Sequence, residues 1–186
     1  HITGEAMELV TGKEIATRVS GLISAKHQVH AYTVDVTVKT IHSVDPTGRV
    51  DFGGSEYTPA GKMPIAAQRY NLEDKYLWWD LGRGSYFVEF NEAVDLTPEE
   101  FGYLEADDRL IRAGATLAPL YLRGRAVPLE TLLTLETVRL QVKQNARIAR
   151  IRIFRASMST SADTQSSASV ELRIPKHLKS KVKSKK

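Results

Sequence analysis

From Tyr32 to Lys39 apolar and polar side chains alternate, with Tyr32, Val34, Val36 and Val38 set against Thr33, Asp35, Thr37 and Lys39. A period of two sends successive side chains to opposite faces, so this segment is predicted to be a half-buried strand. Just before it the period is close to 3.6. Ile15, Val19 and Leu22 recur at helical spacing behind Thr11-Gly-Lys-Glu14, a capping box in which the threonine hydroxyl accepts an amide hydrogen and Glu14 reaches back. A short helix with Gly21 near its end is expected there. Residues 43 to 64 carry Pro46, Gly48, Gly53, Gly54, Pro59, Gly61 and Pro64, which implies short strands joined by turns, or a long surface excursion.

Beyond the excursion, Tyr76 to Asp80 and Ser85 to Phe90 read as two strands joined by a Gly82-Arg-Gly84 turn, a hairpin. Thr97-Pro98-Glu-Glu100 combines a capping hydroxyl, a proline at the first helical position and an acid at the third, predicting a second short helix near Phe101. Leu117 to Leu122, Leu129 to Leu135, the alternating Val138, Leu140 and Val142, and finally Ile148, Ile151 and Ile153 supply apolar runs of strand length. Gln144-Asn145 marks a turn before the last of them. Many short strands with two brief helices predict a mainly β fold, a barrel or a sandwich.

The periodic pattern stops at Ala156, after which Ser, Thr, Ala, Asp and Gln dominate as far as Ser169, a linker composition. At 186 residues, 42% apolar and 26% charged, the chain is sized for one domain with tails. The expected division is a tag remnant at 1–6, ahead of Met7, a folded domain at 7–155, and a Ser/Thr-rich linker with a Lys-rich tail at 156–186. Pro175 to Lys186 holds six lysines and no acid; these exceed the net charge of +4, so the rest of the chain is weakly negative. Such a tail is either solvated or a weak, salt-sensitive contact with nucleic-acid phosphates, and no aromatic residue lies among the lysines to stack on bases. No stretch approaches the roughly 18 apolar residues of a membrane-spanning helix, and no secretory leader opens the chain. A soluble, cytoplasmic protein is expected, and the absence of cysteine removes thiolate ligands and nucleophiles.

Four segments, taken in order, carry a resemblance: Tyr32-Thr-Val-Asp35-Val36, Gly84-Ser-Tyr-Phe-Val-Glu-Phe-Asn-Glu-Ala-Val-Asp-Leu-Thr-Pro98, Arg109-Leu-Ile-Arg112-Ala-Gly114 and Asn145-Ala-Arg147-Ile-Ala149. Over about residues 11 to 155 the chain resembles the dUTPase and dCTP deaminase superfamily, in particular its archaeal dUTPase-like branch. The resemblance implies a dUTPase-like distorted β-barrel of the β-clip type with two short helices, three subunits around a threefold axis, and nucleotide sites in the clefts between them.

The motifs are degenerate where that family carries its chemistry. The aspartate that holds the attacking water in dUTPases falls on Arg123, whose guanidinium stays protonated near neutral pH and cannot serve as a general base. The ring beneath deoxyribose falls on Ala126. The phosphate-holding Arg-Ser-Ser run reads Asp107-Asp108-Arg109, although Arg112 and Gly114 match; paired carboxylates repel a triphosphate unless Mg²⁺ bridges them. The glutamine of the fourth motif becomes Arg150, a change that favours an anion. The glutamate and serine used for dCTP deamination fall on Thr134 and Asp108, with Glu136 two residues on and on the same strand face as Thr134. The glycine-rich closing motif has no glycine counterpart in Ser157 to Ser169.

Asp35, matching the first motif, is either structural or tied to Mg²⁺. The catalytic candidates are therefore Asp35, Asp108 and Glu136, and the metal candidates Asp35, Asp107 and Asp108, the adjacent pair being equally suited to capping a helix. Arg109, Arg112, Arg123, Arg125 and Arg150 are the candidates for binding a nucleotide or other anion. Arg123, Arg125, Arg150, Arg152 and Arg155 either gather in a cleft or line a solvated strand face. His27-x-x-His30 is too little for zinc, and of the adjacent Trp78 and Trp79 one is expected to face the core. The expected function is that of a dUTPase-like homotrimer without standard dUTP diphosphatase or dCTP deaminase activity, still able to bind a pyrimidine deoxynucleotide or another anion. The alternatives are an active pyrimidine deoxynucleoside triphosphate hydrolase using Mg²⁺ and displaced carboxylates, and a structural or nucleic-acid-binding protein on the same scaffold.

Overall fold

The computed structural model describes residues 6 to 156, so the lysine-rich tail, its linker beyond Ala156 and residues 1 to 5 lie outside the described residues. The chain opens with β1 (Met7–Leu9), α1 (Gly12–Ala16), β2 (Val19–Ser20) and α2 (Ala25–Gln28). It continues through β3 (Val34–Val44), β4 (Lys62–Pro64), β5 (Trp78–Phe90), β6 (Ala93–Asp95), β7 (Glu100–Ala106) and α3 (Asp108–Arg112). β8 (Ala115–Leu117), β9 (Leu120–Leu122), β10 (Arg125–Ala126), β11 (Glu130–Lys143) and β12 (Arg147–Ala156) complete it. Among the described residues the large sheet runs β8-β11-β5-β3-β12-β7-β9, with β1 added to β12 and β4 to β3, while β10-β6-β2 form a small second sheet. The fold is mainly β, a curled antiparallel half-barrel, as predicted. No helix among the described residues is long and apolar enough to cross a membrane.

The core forms where the sheet curls over itself. Val34, Val36, Val38 and Ile41 of β3 join Val88 and Phe90 of β5, Leu133 and Leu135 of β11, and Ile151 and Ile153 of β12, all buried. The alternation around β3 is real, yet the strand is not half-exposed: Asp35 and Thr37 are also buried, because a polar layer closes over them. In that layer the Glu92 carboxylate accepts from the Thr37 amide (2.8 Å), the Thr37 hydroxyl (2.7 Å) and the Gln28 side-chain amide (2.7 Å). Burial pushes the Glu92 carboxyl upward and these hydrogen bonds resist it.

Three expectations are corrected. The hairpin at Gly82-Arg-Gly84 is absent: β5 is continuous, and the glycines lie opposite Arg139 and Leu135, where the register of β11 shifts. They mark a bulge, whose extra residues coil the sheet, rather than a turn. The helix near Phe101 is absent too. Glu100 does accept the Thr97 amide at 3.1 Å, as a cap would, but the chain then enters β7, where Phe101 stacks on Phe154 with ring centroids 5.5 Å apart. Pairing with β12 outweighs the local start signal. Finally, three short helices occur among the described residues rather than two. α2 holds four residues, too few for a periodicity, and is closed by Gln28 accepting the Ile23 and Ser24 amides at 2.8 Å each.

Candidate functional site

β12 lies between β3 and β7, with Arg150 opposite Asp35 on one side and Glu105 on the other. This topology brings the start of β3, the β7–α3 junction and the start of β12 to one place. They enclose an open cleft of about 420 Å³ lined by His30, Thr33, Asp35, Asp107, Arg109, Arg147 and Arg150. Between Arg147 and Ala149 the register of β12 against β3 shifts by one residue. That shift lets Arg147 and Arg150 share the cleft, although residues three apart on a regular strand point to opposite faces.

Every carboxylate beside the cleft is engaged by a guanidinium. Asp35 Oδ2 meets Arg147 Nη1 at 3.2 Å and His30 Nε2 at 2.9 Å. Asp107 caps α3 by accepting the Arg109 amide at 2.8 Å and also accepts from Arg109 Nε at 3.1 Å. Burial acts to raise the Asp107 carboxyl, but these two hydrogen bonds and the positive charges of Arg109 and Arg150 hold it below the usual range. Asp108 accepts from Arg150 Nη2 at 2.8 Å. The Arg109 Nη2 group donates to the Arg147 carbonyl at 3.0 Å, and Arg147 Nη1 to that of His27 at 2.6 Å. Arg150 Nε is buried with no hydrogen-bond partner among the described residues. A buried donor of this kind is expensive unless an acceptor meets it.

The acids do not fit Mg²⁺, which takes carboxylate and water oxygens in an octahedral shell. Each already carries a guanidinium, and among the described residues no three His, Asp or Glu groups converge as a metal site requires. His27 Nδ1 meets Ser24 Oγ at 2.8 Å while His30 turns to Asp35, so the two histidines share no centre.

Of the predicted anion-binding residues, Arg109 and Arg150 reach the cleft. Arg112 is exposed on α3, Arg123 donates to the Pro98 carbonyl at 3.2 Å, and Arg125 lines a separate cavity of about 330 Å³ with Arg18 and Asp95. Arg152 pairs with Glu105 at 3.1 Å, and Arg155 reaches Glu100 at 2.9 Å, so the five-arginine cluster does not form. Glu136 is exposed at the β11 bulge and lines no part of the cleft; Ala126 pairs with Val94 in the small sheet. Sequence reasoning missed Arg147, His30 and Thr33 as cleft residues. Arg147 stood in a quoted motif, but only the bulge after it reveals its direction.

No family model matches the chain. A probable deoxyuridine 5'-triphosphate nucleotidohydrolase of Methanosarcina acetivorans is 28% identical over 136 residues, 71% of this chain and 75% of the relative. Its counterpart in Methanosarcina mazei is 29% identical over 136 residues with the same coverage. Among solved structures, the 2'-deoxycytidine 5'-triphosphate deaminase of Agrobacterium tumefaciens superposes with a TM-score of 0.60 at 12% identity, over 81% of this chain. This chain spans about half of that structure's length, 49%. The curled sheet is thus similar in fold to about half of that deaminase. Together with the sequence relatives it supports the resemblance of the chain to the dUTPase and dCTP deaminase superfamily.

Proposed function

We propose that the protein is a dUTPase-like homotrimer whose cleft binds the phosphates of a nucleotide without carrying out dUTP diphosphatase or dCTP deaminase chemistry. One observation carries this reading: three carboxylates are tied to guanidinium groups while the buried Arg150 Nε donor has no acceptor among the described residues. A phosphate oxygen supplies that acceptor, and guanidinium forks suit it. Water activation needs a carboxylate with a lone pair to spare near the substrate. Asp35 and Asp107 each have one oxygen drawn to an arginine, and the residue at the base position of the motif is Arg123, which cannot accept a proton near neutral pH. The cytoplasmic nucleotide pool is the setting this reading implies.

Incubation of the full chain with dUTP or dCTP and Mg²⁺ is expected to release neither pyrophosphate nor ammonia above background. Over the same concentrations dUTP raises the melting temperature, with a gain of about 2.7 kcal/mol at a hundredfold excess over Kd, and Arg150→Ala removes the shift. Pyrophosphate release at enzyme-like turnover refutes the reading. Sedimentation equilibrium at the mass of three chains supports the trimer, and a monomer rejects it.

A further inference from the structure

Residues 45 to 61 join β3 to β4 without a strand or helix of their own. The segment exceeds the roughly 12 to 15 residues beyond which such loops are uncommon and usually functional, yet no part of it lines the anion cleft. It is held in one shape. Arg49 and Thr58 exchange backbone hydrogen bonds at 2.8 and 2.9 Å, and the Asp51 carboxylate accepts the Gly54 and Glu56 amides at 2.9 and 3.1 Å. Between this loop and the outer face of β5 and β11 lies a cavity of about 620 Å³, roomier than the cleft. Phe87 of β5 and Leu132 of β11, opposite one another in register, line it from the sheet, and Val50 and Tyr57 line it from the loop. Val50 is 87% exposed and Tyr57 more than half, so the loop holds apolar area in water beside an apolar wall.

The charges around the cavity are unequal. Lys62 pairs with Glu130, whereas Arg49 enters no ion pair among the described residues. Two cations against one acid leave a surplus of a single positive charge, carried by a planar fork that matches a carboxylate. A phosphate chain needs several such partners, and this lining offers one. Apolar walls with one placed charge are the usual make-up of a small-molecule site. We infer that the cavity binds a small apolar monocarboxylate, an aromatic or short-chain aliphatic acid. Its body lies between Phe87 and Leu132 on one side and Val50 and Tyr57 on the other, and its carboxylate accepts from the Arg49 guanidinium. The site is separate from the anion cleft and stands or falls without it.

The experiment titrates the full chain by calorimetry with 1-naphthoate, with octanoate and with the neutral 1-naphthalenemethanol. An acid is expected to bind, and whichever of the two binds more tightly identifies a ring or a chain as the preferred body. Naphthoate is expected to exceed its neutral alcohol by roughly tenfold or more, the effect of one hydrogen-bonded charge. Arg49→Gln removes that advantage and leaves the alcohol unchanged, which also certifies the fold. Val50→Asp, at a position too exposed to matter for folding, weakens both acids. Arg150→Ala, in the other cleft, leaves them unchanged. No binding of either acid at millimolar concentration, equal affinity for naphthoate and its alcohol, binding that survives both loop substitutions, or binding lost in Arg150→Ala overturns the site.

Discussion

Glu100 is fully buried, and its two oxygens collect hydrogen bonds from Arg18 Nε and Nη2, Arg155 Nη2 and the Thr97 amide. Burial by itself raises a carboxyl pKa; here the two guanidinium groups outweigh it and hold Glu100 at about 2, against an ordinary 4.5. A depressed folded-state value means that the group contributes its stability above about pH 4.5 and loses it as the pH falls toward 2. Glu100→Gln is expected to cost on the order of 3 kcal/mol at pH 7, since it leaves two arginines facing a neutral amide, and to flatten the acid limb of stability between pH 5 and 2. Urea melts across that window test both statements. Glu92, raised by burial, acts with the opposite sign: it favours the folded state at low pH and loses that contribution as the pH climbs through its raised value. Asp108 is a different kind of acid, three-quarters exposed and competing with a ligand for Arg150. Exposed pairs are weak, so Asp108→Asn is expected to strengthen tripolyphosphate binding by roughly two- to fivefold, read by calorimetry. The active-hydrolase alternative requires instead that the same change abolish turnover.

At the scale of elements, α3 shows how a five-residue helix is held in place. Asp107 caps its start, and Gly114 follows its end with φ of +87°. A Cβ on Gly114 lies 2.1 Å from Thr137 Cγ2 at the β11 bulge, so both the backbone and the space require glycine. Gly114→Ala is expected to cost about 2 kcal/mol or more, measured by chemical denaturation, and to weaken anion binding through the displaced Arg109. Elements were legible in the sequence where one local rule agreed with the packing. The threonine cap before α1, the existence of a strand at β3, the turn at Gln144-Asn145 and the final strand through Ile148, Ile151 and Ile153 all belong to that group. They failed where two rules shared one residue type. Gly82 and Gly84 fit a turn or a bulge equally well, and the choice depends on β11, some fifty residues further along the chain. The Thr97-Pro98 start signal is sound as far as Glu100, whose side chain is then captured by arginines from α1's flank and β12.

For the whole molecule, the family resemblance and the mainly β architecture could be read from ordered motifs, while the assembled cleft could not. Arg109 and Arg150 were identifiable as cations in motif positions. That Arg112, Arg123 and Arg125 point elsewhere depends on α3's orientation, on the Arg123 contact with the Pro98 carbonyl and on the small sheet, and strand periodicity encodes none of these. β1 pairs with the far end of β12 in the register Met7 with Ala156 and Leu9 with Phe154. The described polypeptide thus departs and returns at adjacent rungs, about 20 Å along β12 from Arg150 at some 3.3 Å per residue. A circularly permuted gene follows: Ala156 joined to Met7 by a short glycine–serine bridge, with new termini cut between Gly53 and Gly54, where an added side chain would meet nothing within 4 Å. Such a rearranged chain is expected to keep its β-sheet circular dichroism and its tripolyphosphate affinity, because neither the seam nor the new opening touches the groups that hold phosphate.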